Sequence, residues 1–455
     1  MLYIPFLLFL FLVYRTFDAL FVLITSSIFA VLLGGLLLSK ALQASIPAVI
    51  IYLFIFFNVI NFMVGISLVE FYVFPLIIPF IPIILFHYFY AVKKKIPGSS
   101  AFFIMIIGFL VTVIYQTIAH CGVYPYSMFG DGQFFRGFII FFILYMLLAF
   151  RTLSIWKVIV ALSLSVVPQI IYVLALYIVH FHGNISFIFS ERLGTSIDVS
   201  PNQVAIWLDV AFPLALFIAL YDNRPKIKSL FSVVALFYGA ALLLSASRGS
   251  LVGLPLIPFF IAFKTKSIRL KILVIIVSLA GMGIFGREIL ARSLNPCRAD
   301  MLSSFGRIEL LRSGYHALKA NHYLFGIGMD NFKGEKYNFN FMRSFDAQGI
   351  MSTHNVFFEI WLGWGLLGLF GWLAFIGQGV FRVARARLRP EVSYLKPALI
   401  LAISLALLHS LFDSSMAAFP YLVFFFTLIA SAFFLCESEE MRQPSTNPGV
   451  IPGTR

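Results

Sequence analysis

The chain has 455 residues, 61% of them hydrophobic and 11% charged, with a formal net charge of +14 and a mean hydropathy of +0.98. Soluble domains use about 45–50% apolar residues, so this composition excludes a water-soluble surface. No nucleic-acid partner is expected, and the excess of cations has to be read against a membrane.

Apolar runs of about 17 to 25 residues recur along the chain, each long enough to cross roughly 30 Å of hydrocarbon as a helix. The backbone must satisfy its own hydrogen bonds in lipid, and the runs lack the apolar/polar alternation of barrel strands. An all-α, polytopic transmembrane bundle is expected.

In chain order, the first run, 2–14, lacks a preceding basic region and a following small-residue cleavage site, so it is read as retained. Spans follow near 19–38, 46–64 and 71–90, ending at Lys93, Lys94 and Lys95. Four more, near 99–118, 134–150, 158–180 and 203–220, lead to Arg224, Lys226 and Lys228. Two, near 230–246 and 251–263, lead to the basic stretch from Lys264 to Lys271. Residues 272–285 go out, 356–380 return to the cluster from Arg382 to Arg389, and spans near 397–411 and 420–435 precede a polar tail. Lys/Arg-rich short loops mark the cytoplasm, and an even number of spans separates each neighbouring pair of clusters. The count is about 14 crossings, or 12 if weak spans merge or re-enter, with both termini inside. The expected units are N-terminal helices 1–286, an external segment 287–354, C-terminal helices 355–436 and a cytoplasmic tail 437–455.

The external segment is too long to be a turn, and such loops are usually functional or disordered. It contains Ser303-Ser304-Phe305-Gly306 followed by a helical, amphipathic stretch from Arg307 to Ala320, which argues for a small subdomain on the membrane surface.

Arginines on the outward side break the charge rule: Arg192, Arg248, Arg287, Arg292, Arg298, Arg307, Arg312 and Arg343. The guanidinium fork suits phosphate and carboxylate oxygens bidentately and stays charged, although pairing with nearby carboxylates or headgroups is an ordinary use for most of them. Arg248 stands apart, in Ser245-Ala246-Ser247-Arg248-Gly249-Ser250 between two short spans, where an ionisable residue is costly and a functional candidate by default. Among eight histidines, His87, His180 and His182 fall at span ends, and His409, beside Ser410 and Asp413, suits a packed, hydrogen-bonded role. His354, in Ser352-Thr353-His354-Asn355, stands where the external segment enters a span, placed to take a proton from an acceptor hydroxyl. Cys121, Cys297 and Cys436 have no metal-ligand spacing; unpaired thiols are the simpler reading, with a Cys121–Cys297 bridge as the alternative.

Four segments in order resemble the O-antigen ligase and Wzy-type polymerase superfamily: Glu191-Arg192-Leu193-Gly194 with Pro201-Asn202-Gln203; Ser245 to Gly249; Phe305-Gly306-Arg307 leading to Phe325-Gly326-Ile327-Gly328-Met329-Asp330-Asn331-Phe332; and Thr353-His354-Asn355 leading to Gly363-Trp364-Gly365-Leu366-Leu367-Gly368-Leu369. The likeness covers roughly residues 185–380. It departs from the usual pattern at Leu310-Leu311 and Asn321-His322-Tyr323, and in having Glu359 as the nearest carboxylate before Trp364-Gly365. The resemblance implies metal-independent, cofactor-free inverting glycosyl transfer from an undecaprenyl diphosphate-linked glycan to lipid A-core or another glycan, on the periplasmic face of a bacterial inner membrane. It implies Arg248, Arg307 and His354 as catalytic residues, with Arg192, Arg312, Asn202 and Asn355 binding substrate. An O-antigen ligase is favoured over a repeat-unit polymerase, with a protein O-oligosaccharyltransferase also open. A flippase or exporter of the same lipid is the alternative of another class.

Overall fold

The computed structural model describes residues 153–180, 201–245, 247–264, 299–321, 323–328, 353–413 and 419–435, with isolated positions in 137–148 and 268–276 and at Phe332. The expected spans before residue 134 and at 272–285, the polar tail and the Cys121–Cys297 alternative lie outside the described residues.

The described residues form helices without a β-strand: α1 (Ile155–Leu164), α2 (Val167–His180), α3 (Pro201–Tyr221), α4 (Pro225–Ser245), α5 (Arg248–Gly253), α6 (Leu256–Lys264), α7 (Ala299–Asn321), α8 (Val356–Arg385), α9 (Leu395–Ser410) and α10 (Phe419–Leu435). Among the described residues, four helical stretches are long and apolar enough to cross a membrane: Asn202–Tyr221, Pro225–Leu242, Val356–Arg385 and Pro390–Ser410. The chain is thus an all-α, multi-pass membrane protein.

Proline sets several boundaries. Pro201 and Pro225 open α3 and α4, where a helix has no partner for the missing N–H. The run expected as one span at 158–180 is two helices with a break at Ser165-Val166, just before Pro168, which cannot donate to the preceding turn. Tyr238 of α4 donates to the Ser163 carbonyl there at 2.7 Å. The run expected at 251–263 is likewise α5 and α6, divided at Leu254-Pro255. Neither piece could span alone, and both lie along α9.

The core is centred on α3, which packs on α1, α4, α5 and α9 and buries Val204, Trp207, Leu208, Ala211, Leu214 and Ile218. On the other side α8 and α10 share an aromatic seam: Phe375 stacks on Phe433 with centroids 5.4 Å apart, and Trp372 meets Phe426 at 5.7 Å. Large apolar side chains also face outward, including Val233, Leu236, Phe259 and Phe370, as a lipid-facing surface requires.

Two polar clusters mark opposite ends of this bundle. At one, Asp222 just after α3 is bound by Arg224 through Nε at 3.0 Å and Nη2 at 2.7 Å, and by the Tyr394 hydroxyl at 2.7 Å. Arg224 also lies over Trp156, 4.2 Å from the ring centroid. The basic cluster at 224–228 and the end of the stretch 382–394 therefore share one end, as the charge pattern requires. The other end lies across α3, 21 residues or about 30 Å of helix away.

Candidate functional site

At that second end the helix termini of α3, α5, α8 and α9 are tied by amides and hydroxyls. Asn202, in the first turn of α3, donates its Nδ2 to Asp413 Oδ2 at 2.8 Å, beyond the end of α9. Its Oδ1 accepts from Ser247 Oγ at 3.1 Å, and Ser247 is the N-cap of α5. One amide thus joins three segments distant in sequence.

Asn355 does the same for α8. Its Oδ1 caps the helix by accepting from Phe358 N at 2.9 Å, while its Nδ2 donates to the Leu411 carbonyl at 3.2 Å. An asparagine cap satisfies one of the orphan N–H groups of a helix start. Glu359 in the first turn reaches back to accept from Thr353 N at 2.8 Å, where a carboxylate also complements the helix dipole.

Between Thr353 and this cap, His354 is held at φ 56°, in the left-handed region that non-glycine residues rarely occupy. The turn is fixed from both sides, so the strain is carried by the capping bonds around it. His354 is half-buried. Burial pushes its imidazole below the ordinary histidine value, and the Arg307 guanidinium lowers it further, while the Asp413 carboxylate acts the other way. The ring is therefore neutral at ordinary pH, with a nitrogen lone pair for a proton. Its buried Nδ1 meets no hydrogen-bond partner among the described residues.

Arg307 is delivered by α7, which begins at Ala299, so Ser303 to Gly306 lie inside the helix instead of preceding it. The helix rests on the first half of α8: Leu310, Ala317 and Leu318 pack with Ile327, Phe332 and Leu362. Gly314 lets the two approach, since a Cβ there would stand 2.5 Å from the Phe358 ring.

The segment after α7 then docks into a break in α8. Gly365 has φ 67° and ψ −174°, which interrupts the helix. The carbonyls of Leu362 and Gly363 accept instead from Ile327 N at 2.7 Å and Gly328 N at 3.0 Å, and Leu366 N donates to the Tyr323 carbonyl at 3.0 Å. Trp361 Nε1 donates to the same carbonyl at 3.2 Å. Irregular backbone at membrane depth has to be satisfied by protein, and here one loop supplies both donors and acceptor. Gly326 and Gly328 meet this geometry with φ 71° and 88°.

The structure thus brings together His354, Arg307, Asn202 and Asn355 of the residues singled out in the sequence. Arg248 is the first residue of α5, next to Ser247, so its backbone stands at the same end; its side chain, and Arg192, lie outside the described residues. Arg312 is not drawn in: it is exposed and pairs with Glu309 at 2.7 Å. His409 is buried and hydrogen-bonded, as expected. Asp413, which links Asn202 and His354, was noticed only as a neighbour of His409. Asp209 was missed, although a lone carboxylate within an apolar run is a readable signal.

Among curated proteins, none matches the chain. Residues 230–373 match the Wzy_C family model, described as O-antigen ligase, an interval that runs from α4 through Arg248, Arg307 and His354 to the far side of the Gly365 break. Over that interval the chain is similar to the O-antigen ligase domain of the Wzy superfamily.

Proposed function

We propose that the protein transfers a glycan from undecaprenyl diphosphate to an acceptor hydroxyl at the periplasmic face of the inner membrane. The observation that carries this reading is the placing of a neutral, half-buried imidazole beside a guanidinium, where four helix ends meet. The donor's diphosphate rests against Arg307 and Arg248, with Arg192 as a further ligand, and its lipid tail lies among the apolar helices.

As the bond from the anomeric carbon to the phosphate oxygen breaks, its electron pair and the growing negative charge go to the leaving undecaprenyl diphosphate. Prearranged cations lower the barrier when they bind that charge better than the ground state's. The acceptor oxygen attacks the anomeric carbon from the opposite face, inverting it, and its proton passes to His354. General-base assistance of this kind contributes roughly 10²- to 10⁴-fold. Arginines take the charge, so the step needs no metal.

The acceptor we favour is lipid A-core, which makes the protein an O-antigen ligase. The arginine helix and the Gly-Ile-Gly loop form one body on α8, a surface beside the donor on which a second, large glycolipid can lie. Incubation of the purified protein with lipid-linked donor and lipid A-core in detergent, without any gradient, tests the reading. Glycosylated lipid A-core is the expected product; lengthened lipid-linked glycan instead would make it a polymerase. Donor moved across vesicles but never cleaved would make it a transporter.

A further inference from the structure

Below the site, one set of ionisable groups is enclosed by helices on every side. Asp209 Oδ2 lies 2.6 Å from His409 Nδ1 and accepts from Ser250 Oγ at 2.8 Å, and Ser250 Oγ is 3.0 Å from the same ring nitrogen. Asp209, His409 and Ser250 are 1%, 0% and 2% exposed. Two short approaches to one carboxylate oxygen assign the histidine proton to Nδ1. Removing either partner would leave a buried polar group uncompensated, a costly state.

The cluster joins α3 and α9 to α5, a helix of six residues. So short a helix has no stability of its own, and its place is set by what grips it. Ser247 is held by Asn202. Gly249 lies flush on His409, where a Cβ would stand 3.0 Å from the ring and 3.2 Å from the backbone. Ser250 is held by Asp209. Every residue around Arg248 in this turn is thus clamped to the bundle. In addition, Pro213, four residues after Asp209 within α3, has no N–H to offer the Asp209 carbonyl, so the carboxylate stands where its own helix is weakest.

We propose that the Asp209–His409 pair is a positioning device for Arg248, acting through Ser250 and Gly249 to fix the first turn of α5 against the donor diphosphate. This rests on reading Arg248 as a ligand of that diphosphate. The pair touches no substrate and acts by holding one cation in register, which is where small displacements are expensive.

The test uses the full-length protein in detergent with lipid-linked donor. Ser250→Ala removes one hydroxyl without opening the core, and Asp209→Asn keeps the shape while removing the charge. Each is expected to lower kcat on the order of 10- to 100-fold with the acceptor KM unchanged, and Ser250→Thr should recover most of the loss. In an Arg248→Lys background the same changes should cost little more, because both act on one interaction. Losses that multiply across the pair, or wild-type kcat in both Ser250→Ala and Asp209→Asn while Arg248→Ala is inactive, would overturn the positioning role alone. Normal transfer by Arg248→Ala would instead remove Arg248 from the mechanism, and the clamp's purpose with it.

Discussion

The α-carbon of Gly365 faces the carbonyl of Leu324 so closely that no Cβ could stand between them. That contact couples the segment after α7 to the long apolar helix α8: this loop occupies the place where α8 would otherwise close its own hydrogen bonds.

Gly365→Ala should therefore fail twice, through the clash and through its dihedrals of 67° and −174°, a region essentially reserved for glycine and costing of order 1–3 kcal/mol. Gly377→Ala in the same helix, with nothing within 4 Å of its Cβ, is the control. Melting in detergent should show a lower Tm and loss of transfer for Gly365→Ala and little change for Gly377→Ala.

His354→Ala should reduce transfer roughly 10²- to 10⁴-fold while the protein inserts and purifies normally. Because burial, and then Arg307, hold the imidazole below the ordinary value of 6.5, the acid limb of kcat/KM should fall below that pH. Asp413 works in the opposite direction, so Asp413→Asn should move the limb to still lower pH. A limb that stays put would detach His354 from the proton transfer.

The opposite end of the bundle should matter for stability and not for chemistry. Burial of Asp222 would raise its pKa, but hydrogen bonds from Arg224 and Tyr394 outweigh that and hold the carboxyl below its usual value. A depressed carboxyl contributes stability that is present above the unfolded value and lost as pH falls through the folded one. Tyr394→Phe should cost about 1.5–3 kcal/mol at neutral pH without changing transfer. The Tm gap between the protein and Asp222→Asn should be full above about pH 4 and narrow below it.

Orientation is testable directly. In a protein freed of Cys121, Cys297 and Cys436, single cysteines at the exposed positions Leu411 and Glu391 stand at opposite ends of α9. An impermeant thiol reagent added to spheroplasts should label Leu411→Cys and spare Glu391→Cys. The reverse pattern would put the arginines and His354 inside the cell and end the periplasmic reading.

Much of this organisation can be read before any folding. Bilayer solvation forces long apolar runs into helices, and the basic clusters sort their ends; Asp222 bonded to Tyr394 and Asn355 bonded to Leu411 obey that sorting. The helix bearing Arg307 is legible from its amphipathic spacing, and His354 from its place at a span boundary. The splitting of two runs at Ser165-Val166 and Leu254-Pro255 was open to a stricter reading of proline.

What sequence alone determined here is therefore that the described runs at α3, α4, α8 and α9 are long and apolar enough to cross a membrane and that the 224–228 and 382–394 stretches share one end, because hydropathy and charge act residue by residue against a fixed solvent. The tertiary structure decided that Arg307 lowers the pKa of His354 while Arg312 turns to solvent beside Glu309, that Ile327 and Gly328 repair the helix broken at Gly365, and that Asp209 finds His409, 200 residues away. Those pairings depend on helix rotation and depth, and only close packing of the bundle sets them.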